Sequence, residues 1–113
     1  MELIKLDQKR TIVASDTTTI HEYDTQDGFV SGAVVEIKGR YPAQGFVVNK
    51  KIKELVYVLS GKGQIILSQE EIEISAGDVV FVDHMEKFAW NGDMVLFMAT
   101  APSFDPAQHI EVE

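Results

Sequence analysis

The sequence contains no cysteine among its 113 residues. Disulfide bridges and thiolate metal sites are therefore both excluded. Proline is scarce, and apolar runs such as Val79–Val82 and Met94–Ala99 are far too short to cross a bilayer. The first 20 residues hold six charged side chains and so lack the apolar block of a signal peptide. These absences lead us to expect a cytoplasmic protein.

Basic residues are also few. Ten lysines and arginines stand against eighteen acidic residues, and the formal net charge is −8. A chain of this charge repels the phosphate backbone of nucleic acids and the surface of anionic membranes. We therefore expect no nucleic acid and no membrane as a partner. The apolar share of 45% is that of a globular protein with a packed core.

Short apolar runs with a period near two predict β-strands along the whole chain. Turn residues separate these runs: Asn91-Gly92 suits a two-residue hairpin, and Ser60–Gly63 contains two glycines. Near the end, Asp105 is placed to cap a single helical turn that begins at Pro106. No longer stretch has an amphipathic helical pattern. We therefore expect one all-β domain over residues 1–113.

Two of the predicted strands contain runs that are apolar on both faces, Val56–Leu59 and Val79–Val82. Such strands need cover from two sides, which a second sheet or another subunit provides. The many short strands favour a sandwich or barrel, and we expect a jelly roll with a homodimer interface. An immunoglobulin-like sandwich is disfavoured because the Cys and Trp spacing of that family is absent. Leu55 and Tyr57 are expected to face the other sheet layer or the partner subunit.

Two segments resemble a known family. Residues Glu54–Gly63 resemble the second half of the first cupin motif, and Ala76–Val82 resemble the opening of the second. The resemblance implies an all-β double-stranded β-helix, or jelly-roll barrel, with its motif region at residues 39–108. Residues 1–38 are then N-terminal strands, and residues 109–113 form a tail. The cupin superfamily hosts many unrelated activities, so the resemblance implies a fold rather than a reaction.

The histidines of the first cupin motif are missing. Glu54 keeps the carboxylate position of that motif. Counting back by the shorter of the two family spacings places the histidine positions at Val48 and Lys50. Counting back by the longer spacing places them at Val47 and Asn49. Both registers remain open at this point.

The second cupin motif has lost its metal ligand as well, since its histidine position falls on Phe88. A single carboxylate without imidazole partners holds a divalent metal weakly. No cofactor is therefore expected. A weakly bound divalent metal would use Glu54 together with the loop histidine His84.

Glu54 is the candidate catalytic residue. A carboxylate that points into a barrel must be paired, hydrogen-bonded or protonated, and Lys50 or Asn49 is the candidate partner. A carboxyl group with a raised pKa would serve as a general base. The other candidates for ligand binding are three apolar residues and one loop histidine: Val48, Phe88, Trp90 and His84.

Three functions remain open. The first is metal-independent binding of a small-molecule ligand in an apolar cavity, with Glu54 and Lys50 or Asn49 as its polar end. The second is an enzyme, either an isomerase or lyase with Glu54 as base or a weak metalloenzyme. The third is a structural module whose barrel is filled by side chains. His21 and His109 show no ligand spacing and are not assigned to the site.

Overall fold

The computed structural model describes residues 1 to 113. Two single-turn 3-10 helices, Leu6–Gln8 and Pro106–Gln108, accompany nine β-strands. The strands are β1 (Arg10–Ser15), β2 (Thr18–Tyr23), β3 (Ser31–Tyr41), β4 (Phe46–Asn49), β5 (Lys53–Ile66), β6 (Glu71–Ser75), β7 (Val79–Val82), β8 (Ala89–Ala101) and β9 (His109–Val112). None of the helices has the length and apolar character that a membrane span requires. The predicted all-β class is confirmed.

Seven strands form one antiparallel sheet in the order β1-β2-β3-β8-β5-β6, and β7 pairs with the first part of β5. The remaining two strands, β4 and β9, form a small second sheet. A β-bridge between Val47 and Phe88 connects β4 to the segment that leads into β8. The small sheet therefore lies against the inner face of the large one, and a two-layer arrangement results.

The core is built from the inward faces of these strands. Along β5, Val56 and Val58 are fully buried, whereas Leu55 and Tyr57 are about half exposed. This alternation follows from strand geometry, because successive side chains point to opposite faces. On β8 and the segment before it, Phe88 and Trp90 pack edge to face with their ring centroids 5.7 Å apart. Burial of each such side chain stabilises the fold by roughly 1.5–3 kcal/mol.

The two turns expected at Ser60–Gly63 and Asn91-Gly92 are not present. Both segments lie inside the long strands β5 and β8, which pair with each other from Lys53 to Ile66. A β-bulge in β5 and the positive φ angle of Gly61, 83°, bend the ladder without ending it. Gly63 and Gly92 approach so closely that a Cβ on either would collide with the backbone of the other. The glycines therefore serve a bend and a close approach of two backbones.

The C-terminal residues 109–113 do not form the expected tail. His109–Val112 form β9, which pairs antiparallel with β4. The single helical turn before β9 is present as predicted, since the Asp105 carboxylate accepts a hydrogen bond from the Ala107 amide at 3.0 Å. Only two of the four residues of β9 are apolar, so its own pattern is too short to mark a strand. Pairing with β4 defines it.

Candidate functional site

A cavity of about 220 Å³ lies between the inner faces of the two sheets. Most of its wall is apolar: Ile12, Ile20, Ala33, Val35, Ile37, Val47, Phe88, Trp90, Met98, Phe104 and Pro106. Hydroxyl, imidazole and carboxyl groups interrupt this wall at a few positions: Thr18, Glu22, Asp24, Ser31, Tyr41, Glu54, Thr100 and His109. A concave apolar site with a small number of placed polar groups is typical of small-molecule binding.

Glu54 on β5 is the most deeply buried acid of this wall, with 6% of its surface exposed. Its Oε1 accepts a hydrogen bond from the side-chain amide of Asn49, and no cationic side chain forms an ion pair with it. Burial raises the pKa of Glu54 to about 7, although the Asn49 hydrogen bond opposes this rise. Near neutral pH, both the ionised and the protonated carboxyl are therefore populated.

The hydrogen bonds continue beyond Asn49 to two further side chains. Asn49 Oδ1 accepts a hydrogen bond from His109 Nδ1 at 2.9 Å, and His109 Nε2 lies 3.2 Å from the hydroxyl group of Tyr41. Since the Asn49 nitrogen donates to Glu54, its oxygen must accept, and Nδ1 of His109 carries the proton. The Tyr41 hydroxyl then donates to Nε2. Together the four residues form a hydrogen-bonded chain, which we call the Glu54–Tyr41 chain.

Burial keeps both aromatic members of this chain uncharged near neutral pH. It lowers the pKa of His109, partly offset by the charge of Glu111. It also raises the pKa of Tyr41, and the charges of Glu111 and Glu54 add to this rise. A neutral imidazole and a neutral phenol thus face the cavity beside the carboxyl group.

Strand pairing explains how distant residues meet at this site. Asn49 and His109 are directly opposite each other in the β4–β9 ladder, although 60 positions separate them in the sequence. Tyr41 stacks on the imidazole of His109 at a centroid distance of 6.2 Å, and Phe104 packs against its edge at 5.9 Å. These two rings restrict the orientation of the imidazole.

Among the residues expected at the site, Glu54, Phe88 and Trp90 line the cavity. Asn49 is buried and contacts Glu54. Val48 is buried but does not line the cavity, because neighbouring residues of β4 point to opposite faces and Val47 takes the inward position. The structure thus has the register in which Val47 and Asn49 stand at the positions of the missing histidines.

Two of the three ionisable candidates, Lys50 and His84, lie outside the cavity. Lys50 follows the last residue of β4, is exposed, and forms no ion pair with Glu54. His84 is also exposed, and its Nδ1 lies 2.8 Å from the carboxylate of its neighbour Asp83. Of the two candidate partners of Glu54, Asn49 makes the contact and Lys50 does not.

His109 and Tyr41 are site residues that the sequence did not predict. His109 lies beyond the motif region, and only the β4–β9 pairing brings it to Asn49. One available signal was Asp105-Pro106, because a capped helical turn redirects the chain and allows a following strand to return to the core. Tyr41 carried no signal that distinguishes a buried ring from a site residue.

The residues at the metal position of the cupin fold do not fit a tightly bound metal ion. The inward positions hold a valine, an amide, a phenylalanine and the single carboxylate of Glu54. Valine and phenylalanine cannot ligate, and the amide nitrogen of Asn49 occupies one oxygen of Glu54 as a donor. No group of three His, Cys, Asp or Glu side chains is arranged to hold a metal anywhere in the chain.

No protein-family model matches the sequence, and no curated protein matches it either. Several solved structures do match. Pac13, a nucleoside dehydratase, has a TM-score of 0.88 at 18% identity, with 100% of this chain and 92% of Pac13 covered. Three structures of Streptomyces Pac13 variants with uridine match at the same TM-score.

Two further structures have lower scores. The polyketide cyclase RemF from Streptomyces resistomycificus has a TM-score of 0.77 at 16% identity, with 100% of this chain and 86% of RemF covered. An RmlC-like cupin from Shewanella frigidimarina has a TM-score of 0.74 at 15% identity, with 91% and 92% covered. At these identities the likeness concerns the fold. With the two-layer strand arrangement described above, it shows that this chain has the jelly-roll fold of these proteins, among them the RmlC-like cupin.

Proposed function

We propose that this protein is a metal-independent enzyme that binds a small uncharged molecule in the cavity and moves a proton on it with Glu54. The reaction class is that of a lyase or an isomerase. The observation that carries this proposal is the carboxyl group of Glu54, which lies on the cavity wall with one amide partner and no cation. A carboxyl with a pKa of about 7 is suited to accept and return a proton near neutral pH.

A dehydration illustrates the chemistry that this arrangement supports. Ionised Glu54 takes a proton from a carbon next to a carbonyl group, the C–H bond breaks and a C=C bond forms. The C–O bond of the neighbouring hydroxyl group breaks, and that group leaves as water after it takes the proton back from Glu54. In an isomerisation, Glu54 returns the proton to a different carbon.

The other members of the Glu54–Tyr41 chain have supporting roles in this proposal. Asn49 orients the carboxyl group through its amide, and His109 holds Asn49 in place. His109 and Tyr41 also line the cavity, where they offer polar groups without positive charge. The largely apolar wall around Glu54 excludes water, and this exclusion strengthens electrostatic interactions at the carboxyl group.

The similar structures support a reaction on a small molecule. Pac13 is described as a nucleoside dehydratase and RemF as a polyketide cyclase, so proteins of this size and fold act on small organic molecules. The cavity also argues against a structural module with a filled barrel, because Phe88 and Trp90 line the cavity and do not fill it.

Deuterium exchange tests the proposed proton transfer. The protein is incubated in D₂O with a panel of small neutral hydroxy-aldehydes and hydroxy-ketones, and proton NMR follows the C–H signal next to the carbonyl. We expect exchange or turnover with at least one compound. In Glu54→Gln the rate should decrease by a factor of at least about 100. The matched control is Glu73→Gln, since Glu73 is exposed on β6, and its rate should equal that of the wild type.

Two results would contradict the proposal. An equal rate in Glu54→Gln and the wild type would remove Glu54 from the reaction. Binding of panel compounds, seen as a rise in melting temperature, without any exchange would favour a binding protein without catalysis. That second result corresponds to the first of the three functions left open by the sequence.

We further propose that a second copy of the chain covers the outer face of β5, β7 and β8. Six large apolar side chains are about half exposed on this face: Leu55, Tyr57, Leu59, Val79, Phe81 and Phe97. Direct cross-strand pairing makes the patch continuous, because Leu55 is opposite Phe81 and Tyr57 is opposite both Val79 and Phe97. The patch presents on the order of 500 Å² of apolar surface, at the upper end of what monomers leave exposed.

This area supplies the apolar centre of a standard interface, which buries about 800 Å² per partner. A second copy is the favoured occupant because homo-oligomers with twofold symmetry are the commonest closed assemblies. Light scattering should give twice the monomer mass for the wild type and the monomer mass for Phe81→Glu. A monomeric wild type at concentrations of tens of micromolar would contradict the homodimer.

A further inference from the structure

A second carboxylate lies on the cavity wall. Glu22 on β2 lines the cavity and has only 8% of its surface exposed. Its Oε2 accepts a hydrogen bond from the guanidinium group of Arg10 at 2.6 Å, whereas its Oε1 has no hydrogen-bond partner. Unlike Glu54, this carboxylate has a cation beside it. The proton-transfer role proposed for Glu54 does not use it.

The cation stands on the outer side of Glu22. The side chain of Arg10 is 64% exposed and does not line the cavity, whereas that of Glu22 is 10% exposed and does. Asp24, whose carboxylate is 3.7 Å from the same guanidinium group, lines the cavity at its solvent-exposed side. Arg10 therefore holds Glu22 through one oxygen from the solvent side, and the other carboxylate oxygen has no hydrogen-bond partner.

The sheet register places Glu22 away from Glu54. Glu22 pairs with Ala33, which pairs with Met98, whereas Glu54 pairs with Thr100, two residues further along β8. β2 and β5 are three strand spacings apart in the sheet, or about 14 Å along its surface. Because both side chains line the same cavity, the curvature of the sheet brings them to different sides of it.

The chemistry of this second side excludes one class of ligand. The charged side chains that line the cavity are all carboxylic acids, and the imidazole of His109 is kept neutral by burial. An anionic ligand would meet Glu22 and Asp24 without a lysine or arginine on the wall to balance its charge. A carboxylate oxygen without a partner accepts hydrogen bonds from hydroxyl or amine groups.

We propose that Glu22 is a second binding residue of this cavity and that it accepts hydrogen bonds from the hydroxyl groups of an uncharged, polyhydroxylated ligand. This inference rests on the proposed function, in which the cavity holds the ligand. Arg10 is a positioning residue, because it acts on the ligand through Glu22. The two sides of the cavity then have different roles: Glu54 transfers a proton, and Glu22 binds the hydroxyl-bearing part of the ligand.

Uridine is a suitable probe because it is neutral, carries three hydroxyl groups and is found with a protein of the same fold. Isothermal titration calorimetry compares it with 2′,3′-dideoxyuridine, which lacks the hydroxyl pair of the ribose, and with uridine 5′-monophosphate, which is anionic. We expect the wild type to bind uridine about tenfold or more tightly than either analogue. In Glu22→Gln, the affinity for uridine should decrease by a similar factor. Uridine would then bind only as tightly as dideoxyuridine does.

Two controls separate binding from folding. The affinity for dideoxyuridine should be the same in Glu22→Gln and the wild type, because this compound does not use the carboxylate. Glu36→Gln, at an exposed carboxylate of β3 outside the cavity, should leave all three affinities unchanged. If Glu22→Gln does not fold, Glu22→Asp keeps the charge beside Arg10 but shortens the reach, and it should show the same loss of preference for uridine.

Each other outcome overturns the inference. A wild type that binds the monophosphate as tightly as uridine contradicts a neutral ligand. An equal loss of both nucleosides in Glu22→Gln shows a structural role, and an unchanged affinity for uridine shows no role. Failure of the wild type to bind uridine rejects this ligand class. The deuterium exchange that tests Glu54 uses other compounds, so it gives its answer independently.

Discussion

Replacement of Glu54 by glutamine should stabilise the protein at alkaline pH. Glutamine resembles the protonated carboxyl group in shape, and its oxygen can still accept the hydrogen bond from Asn49. What the substitution removes is the ionisation of a group that has no ion pair in the folded state. The variant therefore isolates the free energy that ionisation of this buried group costs.

The size and sign of the effect follow from the pKa of Glu54. The folded-state pKa is about 7, and the ordinary value is 4.5. Below about pH 4.5 both the folded and the unfolded chain carry the proton, and the carboxyl group imposes no cost. As the pH rises towards 7, only the unfolded chain ionises, and stability is lost. Above pH 7 the loss is complete, and at about 1.4 kcal/mol per pH unit it amounts to about 3 kcal/mol.

Urea denaturation of both proteins at pH 4.5 and pH 8 measures this effect. Other groups titrate over the same range, so the readout is the difference in unfolding free energy between Glu54→Gln and the wild type. That difference should increase by about 3 kcal/mol in favour of the variant, which corresponds to about 1–2 M in the urea midpoint. Glu73→Gln on the exposed face of β6 should show no such increase. A difference between variant and wild type that is independent of pH would refute the reasoning.

Three further predictions concern other residues. Burial lowers the pKa of His109 from its ordinary value of 6.5, so the free energy of unfolding should decrease as the pH falls below about 6.5 and through the folded-state pKa. Acid denaturation curves should show a smaller decrease for His109→Gln. Gly92→Ala should lower the melting temperature by about 5 °C or more, because its new Cβ would lie 2.6 Å from the Lys62 carbonyl oxygen and the residue has a φ of 139°. Gly28 has no neighbouring atom within contact distance, so Gly28→Ala should change the melting temperature little. Lys50→Gln should leave the titration of the buried carboxyl unchanged in carbon-13 NMR spectra, because Lys50 is exposed; a shift of a full pH unit would show an ion pair.

The fold was predictable from the sequence because strand alternation is a local signal. Val56 and Val58 are buried, and Leu55 and Tyr57 are turned outward, as the period of two requires. Glycine was the misleading residue. The same lack of a side chain that permits a hairpin at Asn91-Gly92 also permits two strands to bend and approach closely, and local sequence does not distinguish these uses.

The site was predictable only in part, because it depends on contacts between distant segments. Glu54 could be singled out from motif spacing, and Asn49 was one of its two candidate partners. The choice between Asn49 and Lys50 required the register of β4. His109 was set aside because its role exists only when β9 pairs with β4, at a separation of 60 residues from Asn49. The sequence around Glu22 does not distinguish it from a charged residue on an exposed strand, because only the curvature of the sheet places its side chain at the cavity.

The amide of Asn49 gives the Glu54–Tyr41 chain a direction. With its nitrogen towards Glu54 and its oxygen towards His109, every donor in the chain points the same way, from Tyr41 through His109 and Asn49 to the carboxylate. A proton placed on Oε1 of Glu54 would leave two donors facing each other, and rotation of the amide by half a turn relieves this conflict. Asn49 would then donate to Nδ1 of His109, the imidazole would carry its proton on Nε2, and the Tyr41 oxygen would become the acceptor. The tautomer of one imidazole thus reports whether Oε1 of Glu54, an atom that it does not touch, carries the proton.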